Sequence, residues 1–331
     1  MALATLDFEL FTQGNQAQRE RLGSALADSF KDHGFAKVIN HGVPERVVEM
    51  LFSMSKRFFA LSAEAKAKIV HEPGPDPQRG WSRKCAETTA KLRKENLNGG
   101  TGEDLKDEKE HFDCGPSDDY DYPNLWPDED MPEFRPFMEQ YFELCQKVSL
   151  QVMSALELGL HLPTGALVNR CIPAASELRL NHYPSVSIEK LNEGKTKRTW
   201  PHTDFGIITL LFQDSVGGLE LEDRKEPGTF APVLPAADGH PSELVINISD
   251  TCQRLTNDVI RAGVHRVSLP AEMKDRTEGI LPERYSSVFF FKASRDTNVG
   301  PLPQFVTEDR PAVYKDMTAL QFHKQMTKIL Y

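Results

Sequence analysis

The stretch that decides the fold runs from Arg198 to Glu222 and reads R-T-W-P-H-T-D-F-G-I-I-T-L-L-F-Q-D-S-V-G-G-L-E-L-E. It places His202 and Asp204 two residues apart, just before an apolar run that includes β-branched residues. Alternate side chains of a strand lie on the same face. An imidazole nitrogen and a carboxylate oxygen can therefore reach one metal ion, which predicts two of the three ligands of a metal centre.

A third ligand is predicted at His265, in the alternating segment A-G-V-H-R-V-S-L. His240 competes for this role, but it lies in A-D-G-H-P, a turn in which no alternation orients the ring. Two histidines and one carboxylate on one face of an octahedron leave three positions open, an arrangement typical of non-haem Fe(II) oxygenases. Two of these positions would take a bidentate cosubstrate, and one would take dioxygen.

A further pattern, R-Y-S-S-V-F-F-F, places Arg284 and Ser286 on one strand face. A guanidinium forms two parallel hydrogen bonds to a carboxylate, and a hydroxyl adds another donor. The pair therefore suits the distal carboxylate of 2-oxoglutarate. A zinc hydrolase is an alternative, but it would give Arg284 and Ser286 no purpose.

The order of these motifs is more specific than any one of them: H-x-D, then G-G-L, an apolar strand, H-R-V and R-x-S. In this order the chain closely resembles the 2-oxoglutarate and Fe(II)-dependent dioxygenases of the isopenicillin N synthase-like superfamily, over nearly its whole length. The resemblance implies Fe(II) as the metal, with 2-oxoglutarate and O2 as cosubstrates. It also implies that His202, Asp204 and His265 are the catalytic metal ligands.

The predicted fold class is mixed α/β (α+β). Short alternating strands separated by turns run from residue 177 to 291, which suggests a double-stranded β-helix, or jelly roll. N-terminal and flanking helices would pack on its outer face. Residues 1–130 are predicted to form an N-terminal region with helices and a mobile loop. Residues 131–331 are predicted to form a catalytic jelly-roll region with a long support helix and a C-terminal helix, in one structural unit with the first.

A pocket-lining strand is predicted from Ser176 to Pro184, S-E-L-R-L-N-H-Y-P, with Arg179, Asn181 and Tyr183 on one face. The resemblance implies that Asn181 and Tyr183 contact 2-oxoglutarate. We predict that Arg179 lies within reach of the substrate, where an inward guanidinium would favour an acidic or phenolic molecule. The alternative is a buried ion pair between Arg179 and Glu177 or another carboxylate, and the sequence favours neither.

Segments outside these strands carry further expectations. His111 and Asp113 form a second H-x-D, which is interpreted as structural or substrate-side because it lacks a downstream partner. Gly99 to Lys109 is predicted as a mobile loop, because its glycines and charges offer little apolar surface to anchor it. The segment between His265 and Arg284 is longer than in many relatives, and is expected to cover the pocket or to lie on the surface. A basic loop between Ser185 and Thr199 is predicted to be solvated, with Lys190, Lys195, Lys197 and Arg198.

The remaining elements are predicted from periodicity and turn residues. Leu6 to Leu10 is predicted as a first strand, and Asn15 to Phe30 as an amphipathic helix. Phe134 to Leu160 has helical periodicity throughout and is expected to support the sheet. Ser249 to Asp258 is interpreted as the turn before the distal histidine, and Tyr314 to Leu330 as a C-terminal helix that in relatives often closes over the substrate.

Composition excludes several classes of protein. A net charge of −10 over 331 residues argues against a nucleic-acid partner, because phosphate binding needs a concentrated basic surface. Five cysteines without a C-x-x-C spacing argue against a disulfide framework and favour the cytoplasm. No apolar run reaches membrane-spanning length, so no membrane partner is expected. The sequence makes no prediction of the oligomeric state.

The predicted function is an oxygenase that hydroxylates, desaturates or rearranges a small organic molecule, with release of succinate and CO2. F-F-A-L-S and S-V-F-F-F are similar to segments of fungal natural-product tailoring enzymes, and an aromatic polyketide is the expected substrate. One alternative is an iron-dependent oxidase of the same fold that does not use 2-oxoglutarate. A second is a non-catalytic small-molecule-binding member, which the presence of all three ligands and R-x-S disfavours.

Overall fold

Two β-sheets form the centre of the molecule, within the residues that the computed structural model describes: 3–97, 100–236 and 242–330. Leu211 of the larger sheet and Leu219 of the smaller pack in one apolar cluster, so the faces of the two sheets meet. The strands are β1 (Thr5–Asp7), β2 (Phe35–Ile39), β3 (Gly80–Ser82), β4 (Lys106–Asp107), β5 (Glu110–Cys114), β6 (Glu177–Tyr183), β7 (Val186–Ser187), β8 (Thr196–Lys197), β9 (Thr199–His202), β10 (Ile208–Gln213), β11 (Leu219–Glu222), β12 (Phe230–Pro232), β13 (Leu244–Ile248), β14 (His265–Val267), β15 (Ile280–Leu281) and β16 (Arg284–Phe291).

The larger sheet has eight strands in the order β1-β2-β13-β10-β16-β6-β5-β3, and the smaller has four in the order β12-β11-β14-β9. Strands that are distant in sequence are neighbours: β13 pairs antiparallel with β2, and β16 pairs antiparallel with both β10 and β6. Such crossing between two facing sheets is typical of the jelly roll that the sequence predicts. One sheet therefore contains strands from both the N-terminal and the C-terminal region.

The helices lie outside this core and have recognisable boundaries. The second helix begins after Asn15, whose side chain accepts a hydrogen bond from the backbone of Gln18 in a capping box, and it ends at Gly34 with φ of 79°. The α-helices are α1 (Glu9–Thr12), α2 (Gln16–His33), α3 (Glu45–Phe59), α4 (Ala63–Ala67), α5 (Phe134–Gly159), α6 (Ile188–Asn192), α7 (Asp250–Leu255) and α8 (Ala319–Leu330), and the 3-10 turns are Thr89–Leu92, Lys94–Leu97, Val168–Cys171, Ala271–Met273 and Pro303–Phe305.

The long helix α5 supports the larger sheet, as its periodicity predicts. Its Phe142 ring packs edge-on against Phe289 of β16, with 5.0 Å between ring centroids. On its other side α5 contacts α2 closely, because a methyl group on Gly159 would lie 2.0 Å from the carbonyl oxygen of Gly23. The two glycines thus allow the helices to approach at a distance that larger residues would prevent.

Several predicted elements differ from the structure. The first strand is Thr5–Asp7, and Glu9–Thr12 is a helix; the C-terminal helix begins at Ala319 rather than at Tyr314. The predicted turn before the distal histidine contains a helix, Asp250–Leu255, before Asn257 and Asp258 take positive φ angles of 48° and 65°. The helices Glu9–Thr12 and Asp250–Leu255 have four and six residues, too few to show the apolar periodicity on which the prediction depends.

The two long loops are partly structured. Within the predicted mobile loop, Asp107, Glu108 and Lys109 are buried, and Lys106 and Asp107 form β4, which pairs with β8; Gly99 lies outside the described residues. The segment between His265 and Arg284 is exposed from Lys274 to Ile280, so it lies on the surface. No helix among the described residues is both long and apolar enough to cross a membrane.

Candidate metal centre and active-site cavity

His202, Asp204 and His265 lie together at one end of the smaller sheet. His202 is the last residue of β9, His265 is the first of β14, and the two are directly paired across the ladder. Asp204 lies two residues beyond the end of β9, not within the strand as the sequence suggests. One ligand atom from each of the three residues lies within 4.8 Å of the other two, and theirs is the one such group of three found among the described residues. His240 lies outside those residues.

Backbone carbonyls orient both histidine rings. His202 Nδ1 lies 2.8 Å from the carbonyl oxygen of Trp200, and His265 Nδ1 lies 3.2 Å from that of Gly263. A proton on each Nδ1 leaves the Nε2 lone pair free for a metal. The two Nε2 atoms lie 3.7 Å and 3.9 Å from the Asp204 carboxylate oxygens, so the three side chains converge on one point.

Asp204 is held by two neutral donors from the larger sheet. The hydroxyl of Thr209 donates to Oδ2 at 2.7 Å, and the side-chain amide of Asn247 donates to the same oxygen at 2.9 Å. Burial opposes the charge of this carboxylate, but the two histidines and these two hydrogen bonds lower its pKa. Asp204 therefore stays ionised, with Oδ1 turned towards His202. The donor set fits a divalent metal such as Fe(II).

Arg284 and Ser286 of β16 lie opposite Tyr183 and Asn181 of β6 in the ladder, so all four side chains share a face. Arg284 is fully buried; its Nη2 donates to Gln213 Oε1 at 3.1 Å, while its Nε and Nη1 have no hydrogen-bond partner. The Asn181 amide lies 3.5 Å from the Ser286 hydroxyl. Two unpaired guanidinium N–H groups beside a hydroxyl form a site that fits a carboxylate.

Arg198 is a second buried guanidinium in this region that the sequence reasoning missed. It was predicted to be solvated, but it is 1% exposed, and its Nε and Nη1 have no hydrogen-bond partner. Arg198 and Arg284 both lie near the ring of Tyr183. Burial, and then the charge of Arg284, lower the pKa of Arg198 to about 10. Nothing in the sequence distinguishes Arg198 from the lysines beside it.

The three metal-binding candidates and the carboxylate site line one cavity of about 890 Å³, counting its mouth. Its lining combines apolar side chains with converging polar groups, as in small-molecule sites. Arg179 also lines this cavity, and it forms buried ion pairs with carboxylates, the alternative that the sequence leaves open: its Nη1 lies 2.7 Å from Glu87 and its Nε 2.8 Å from Asp113. Glu177, the partner considered from the sequence, pairs instead with Arg79 and Lys292.

The second H-x-D motif lies behind the part of the cavity lining that Arg179 forms. His111 and Asp113 are on β5, their side chains are 1% exposed, and His111 Nε2 lies 3.3 Å from Asp113 Oδ2. Arg179 donates to both oxygens of Asp113, at 2.8 Å and 3.2 Å. A cation therefore occupies the carboxylate where a metal would bind.

Comparisons with known proteins agree with this geometry. A family model described as "2OG-Fe(II) oxygenase superfamily" matches residues 174–293, and one described as "non-haem dioxygenase in morphine synthesis N-terminal" matches residues 3–129. The 2-oxoglutarate-dependent dioxygenase imqE of Aspergillus flavus is 45% identical over 99% of this chain and 94% of its own length. The chain belongs to the 2OG-Fe(II) oxygenase superfamily.

Two further proteins extend the comparison. The proline hydroxylase buaE of Petromyces alliaceus is 42% identical over 98% of both chains. The crystal structure of a full-length Neurospora crassa protein in complex with alpha-KG and thymine superimposes with a TM-score of 0.85 at 27% identity, over 98% of this chain and 96% of the other. This oxygenase is thus an enzyme that uses Fe(II), with 2-oxoglutarate and O2 as cosubstrates, and acts on a small molecule.

Proposed function

We propose that His202, Asp204 and His265 bind the Fe(II) of this oxygenase and that the enzyme hydroxylates an aliphatic carbon of a small molecule. Two observations support these ligands: the Nε2 atoms of the two histidines converge, and within the described residues only one oxygen of the Asp204 carboxylate accepts hydrogen bonds. The relative buaE is named a proline hydroxylase, and it shares 42% of its residues with this chain. Hydroxylation of a small molecule is therefore the reaction that we propose here.

The residues Arg284, Ser286, Asn181 and Tyr183 would hold 2-oxoglutarate. The observation that carries the proposal is the pair of unpaired, fully buried N–H groups of Arg284, because a buried guanidinium without an anion is costly. The distal carboxylate of 2-oxoglutarate would supply that anion. The charge of Arg198, which also lies near the ring of Tyr183, would add to the attraction for that carboxylate. An oxidase that uses no 2-oxoglutarate would leave this site without a partner.

The protein's own part in the reaction is positioning and exclusion of water. Bound Fe(II) supplies the activation of dioxygen, which is coupled to decarboxylation of 2-oxoglutarate. Thr209 and Asn247 fix the Asp204 carboxylate, and the backbone carbonyls fix the tautomers of the histidines. Apolar side chains beside Arg284 keep the cosubstrate in a dry environment, where its hydrogen bonds are stronger: Leu211, Leu219, Val267 and Val288.

The proposal is tested by anaerobic titration with Fe(II) and 2-oxoglutarate, which needs no substrate. We expect the weak visible charge-transfer band of a chelated iron–oxoacid complex in the unchanged enzyme, none in His202→Ala, and an unaltered band in the control His33→Ala. The histidine in that control lies at the end of α2. Iron binding without the band would favour the oxidase or the non-catalytic binding protein.

We also propose that residues 1–130 and 131–331 form one structural unit, located in the cytoplasm. The pairing of β2 with β13 supports the first statement, because it joins the two regions in one sheet. All five cysteines are free thiols, which supports the second. Limited proteolysis that releases a stable fragment of either region would contradict the single unit.

A further inference from the structure

One wall of the cavity carries opposite charges side by side. We call Glu87, Lys109 and Arg179 the charged wall; all three line the cavity that also contains the metal-binding candidates. We propose that the charged wall binds both the ammonium and the carboxylate of a free aliphatic amino acid, whose side chain is then hydroxylated. This inference rests on the oxygenase function proposed above and names its substrate class.

The Glu87 carboxylate has one occupied oxygen and one open oxygen. Its Oε1 accepts hydrogen bonds from Lys109 Nζ and from Arg179 Nη1, while its Oε2 has no hydrogen-bond partner and is buried. His111 Nε2 lies 3.8 Å from Oε2, beyond hydrogen-bond distance. Burial opposes the charge of Glu87, but Arg179 and Lys109 hold its pKa well below its usual range. An ionised oxygen without a donor is thus available for a ligand's ammonium group.

Lys109 supplies the complementary donor. Its ammonium has three N–H groups, and within the described part of the chain its one hydrogen-bond partner is Glu87 Oε1. The side chain is 4% exposed, so bulk water does not satisfy the other two. A donor with spare capacity and an acceptor with spare capacity therefore lie in direct contact. The ammonium and the carboxylate of an α-amino acid are separated by one carbon, and they can pair with both at once.

The charges around the wall exclude ligands of other types. Glu87 and Asp113 carry negative charges and are paired with Lys109 and Arg179, which carry positive charges. Asp107 is buried near Glu87 and Lys109, and burial raises its pKa to about 7. A zwitterion adds no net charge and gives each open atom a partner of opposite sign. A dicarboxylate or a phenolate would place a negative charge against Glu87 Oε2, and a neutral aromatic molecule would leave that oxygen and two N–H groups of Lys109 without hydrogen-bond partners in a buried site.

The cavity also has apolar side chains in its lining. Leu92, Phe205 and Leu330 line the same cavity. Leu92 ends a 3-10 turn that contacts both β9 and α8, and Leu330 is the last residue of α8, whose carbonyl accepts a hydrogen bond from Thr88. These side chains suit a hydrocarbon substituent, so the charged wall and its surroundings favour an aliphatic amino acid over the aromatic polyketide expected from the sequence.

The proposed reaction balances with the cosubstrates of the family. One C–H bond of the side chain breaks and one C–O bond forms, while 2-oxoglutarate loses CO2 and becomes succinate. One oxygen atom of O2 enters the new hydroxyl group and the other enters the new carboxylate of succinate. The C–H bond and the oxoacid each supply two of the four electrons that O2 takes up.

The test measures succinate formation by the holoenzyme with Fe(II), 2-oxoglutarate and O2. The probes are free L-leucine, L-valine and L-proline, the methyl ester and the N-acetyl derivative of each, and a neutral hydroxynaphthalene. We expect at least one free amino acid to raise the rate of succinate formation more than 10-fold. The kcat/KM for its ester and for its N-acetyl derivative should each be more than 100-fold lower than that for the free amino acid. Stimulation by the aromatic compound alone, or equal rates with the derivatives, would overturn the proposal.

Two variants assign the recognition to the wall. Glu87→Gln and Lys109→Met should each lower kcat/KM for the free amino acid about 100-fold, and the iron–oxoglutarate band shows that each variant is folded. Matched controls with the same changes at exposed positions, Glu103→Gln and Lys195→Met, should leave kcat/KM unchanged. A normal band together with unchanged kcat/KM in both wall variants would refute the amino-acid site but not the oxygenase assignment. Loss of the band in the unchanged enzyme would instead refute the oxygenase assignment on which it rests.

Discussion

The chain contains two H-x-D motifs, and they have opposite environments. At His202 and Asp204, both side chains are oriented for metal binding. The His202 Nδ1 lies against a backbone carbonyl, and one oxygen of the Asp204 carboxylate accepts hydrogen bonds from neutral donors. At His111 and Asp113, neither imidazole nitrogen has a hydrogen-bond partner, and Arg179 occupies both carboxylate oxygens. The spacing of residues is the same in both.

The difference shows what spacing alone decides. Two residues apart in or beside a strand, a histidine and an aspartate lie on one face in either motif. Whether they can bind a metal depends on their neighbours: a guanidinium neutralises a carboxylate and competes with a cation, whereas Thr209 and Asn247 leave its charge intact. The residues around each motif, and not the motif itself, therefore distinguish the metal-binding candidates His202 and Asp204 from His111 and Asp113.

The largest expected effect comes from removing the carboxylate of the first motif. Asp204→Ala should lower turnover at least about 1,000-fold, because the proposed iron site loses its one carboxylate ligand. In the second motif, Asp113→Asn should leave the bound iron unchanged and cost about 1–3 kcal/mol of unfolding free energy, because Arg179 keeps only part of its compensation. Metal analysis and urea denaturation check the pair. Iron loss in Asp113→Asn would break the comparison.

A smaller effect is expected at the carboxylate site on the same strands. Arg284→Leu should raise the KM for 2-oxoglutarate about 100-fold, because a buried charge-assisted pair of hydrogen bonds is lost. The concentration of Fe(II) that gives half-maximal activity should change little, since Arg284 touches none of the three metal ligands. Steady-state kinetics with each component varied in turn measure both quantities. Equal increases in the two requirements would argue against a separate carboxylate site.

The smallest effect is expected at the buried imidazole of the second motif. His111 is buried, and this, followed by the charge of Arg179, holds its pKa well below the usual 6.5. The unfolded chain therefore binds a proton below about pH 6.5 that the folded chain does not, so stability due to this group is present above that pH and is lost as pH falls. His111→Phe should remain within about 1 kcal/mol of the unchanged protein at pH 8 and exceed its stability at pH 5.5.

Chemical denaturation of both proteins at several pH values measures this difference. Histidines that do not interact with His111 affect both proteins equally, so the difference between the two curves reports on His111 and on the groups coupled to it, such as His71. Parallel curves would mean that the folded protein binds a proton at this position. The iron content of His111→Phe should equal that of the unchanged enzyme, which tests once more whether the second motif contributes to the metal centre.

Much of the fold was predictable because alternation and helical periodicity report burial. Alternation predicts that Arg284 and Ser286 share one strand face and that Asn181 and Tyr183 share another, whereas the register that pairs these residues is known only from the structure. The long helix was predicted within one residue, since it ends at Gly159 and not at Leu160. Short elements such as Glu9–Thr12 were missed, because their formation depends on tertiary contacts and not on a repeating pattern.

The site was predictable only in part. The roles proposed for His202, Asp204 and His265 follow from motifs with a known order, but Glu87, Lys109 and Arg198 have no such pattern around them. Glu87 precedes a 3-10 turn, and Lys109 lies between β4 and β5, so their meeting in the cavity depends on the packing of loops. Arg198 was predicted to be exposed because the charged residues beside it are typical of solvated loops.

The pairing of β2 with β13 also has a consequence for biosynthesis. Lys37 and Glu243, on or beside these strands, form a 2.8 Å ion pair although they are 206 residues apart. At the usual speed of translation, about 5–20 residues per second, roughly 10–40 s pass between the synthesis of β2 and that of β13. During that time the edge of β2 is open to chaperones or to other nascent chains. Asn247, which holds the Asp204 carboxylate, lies on β13, and the proposed ligand His265 follows on β14, so the metal site becomes complete only late in synthesis.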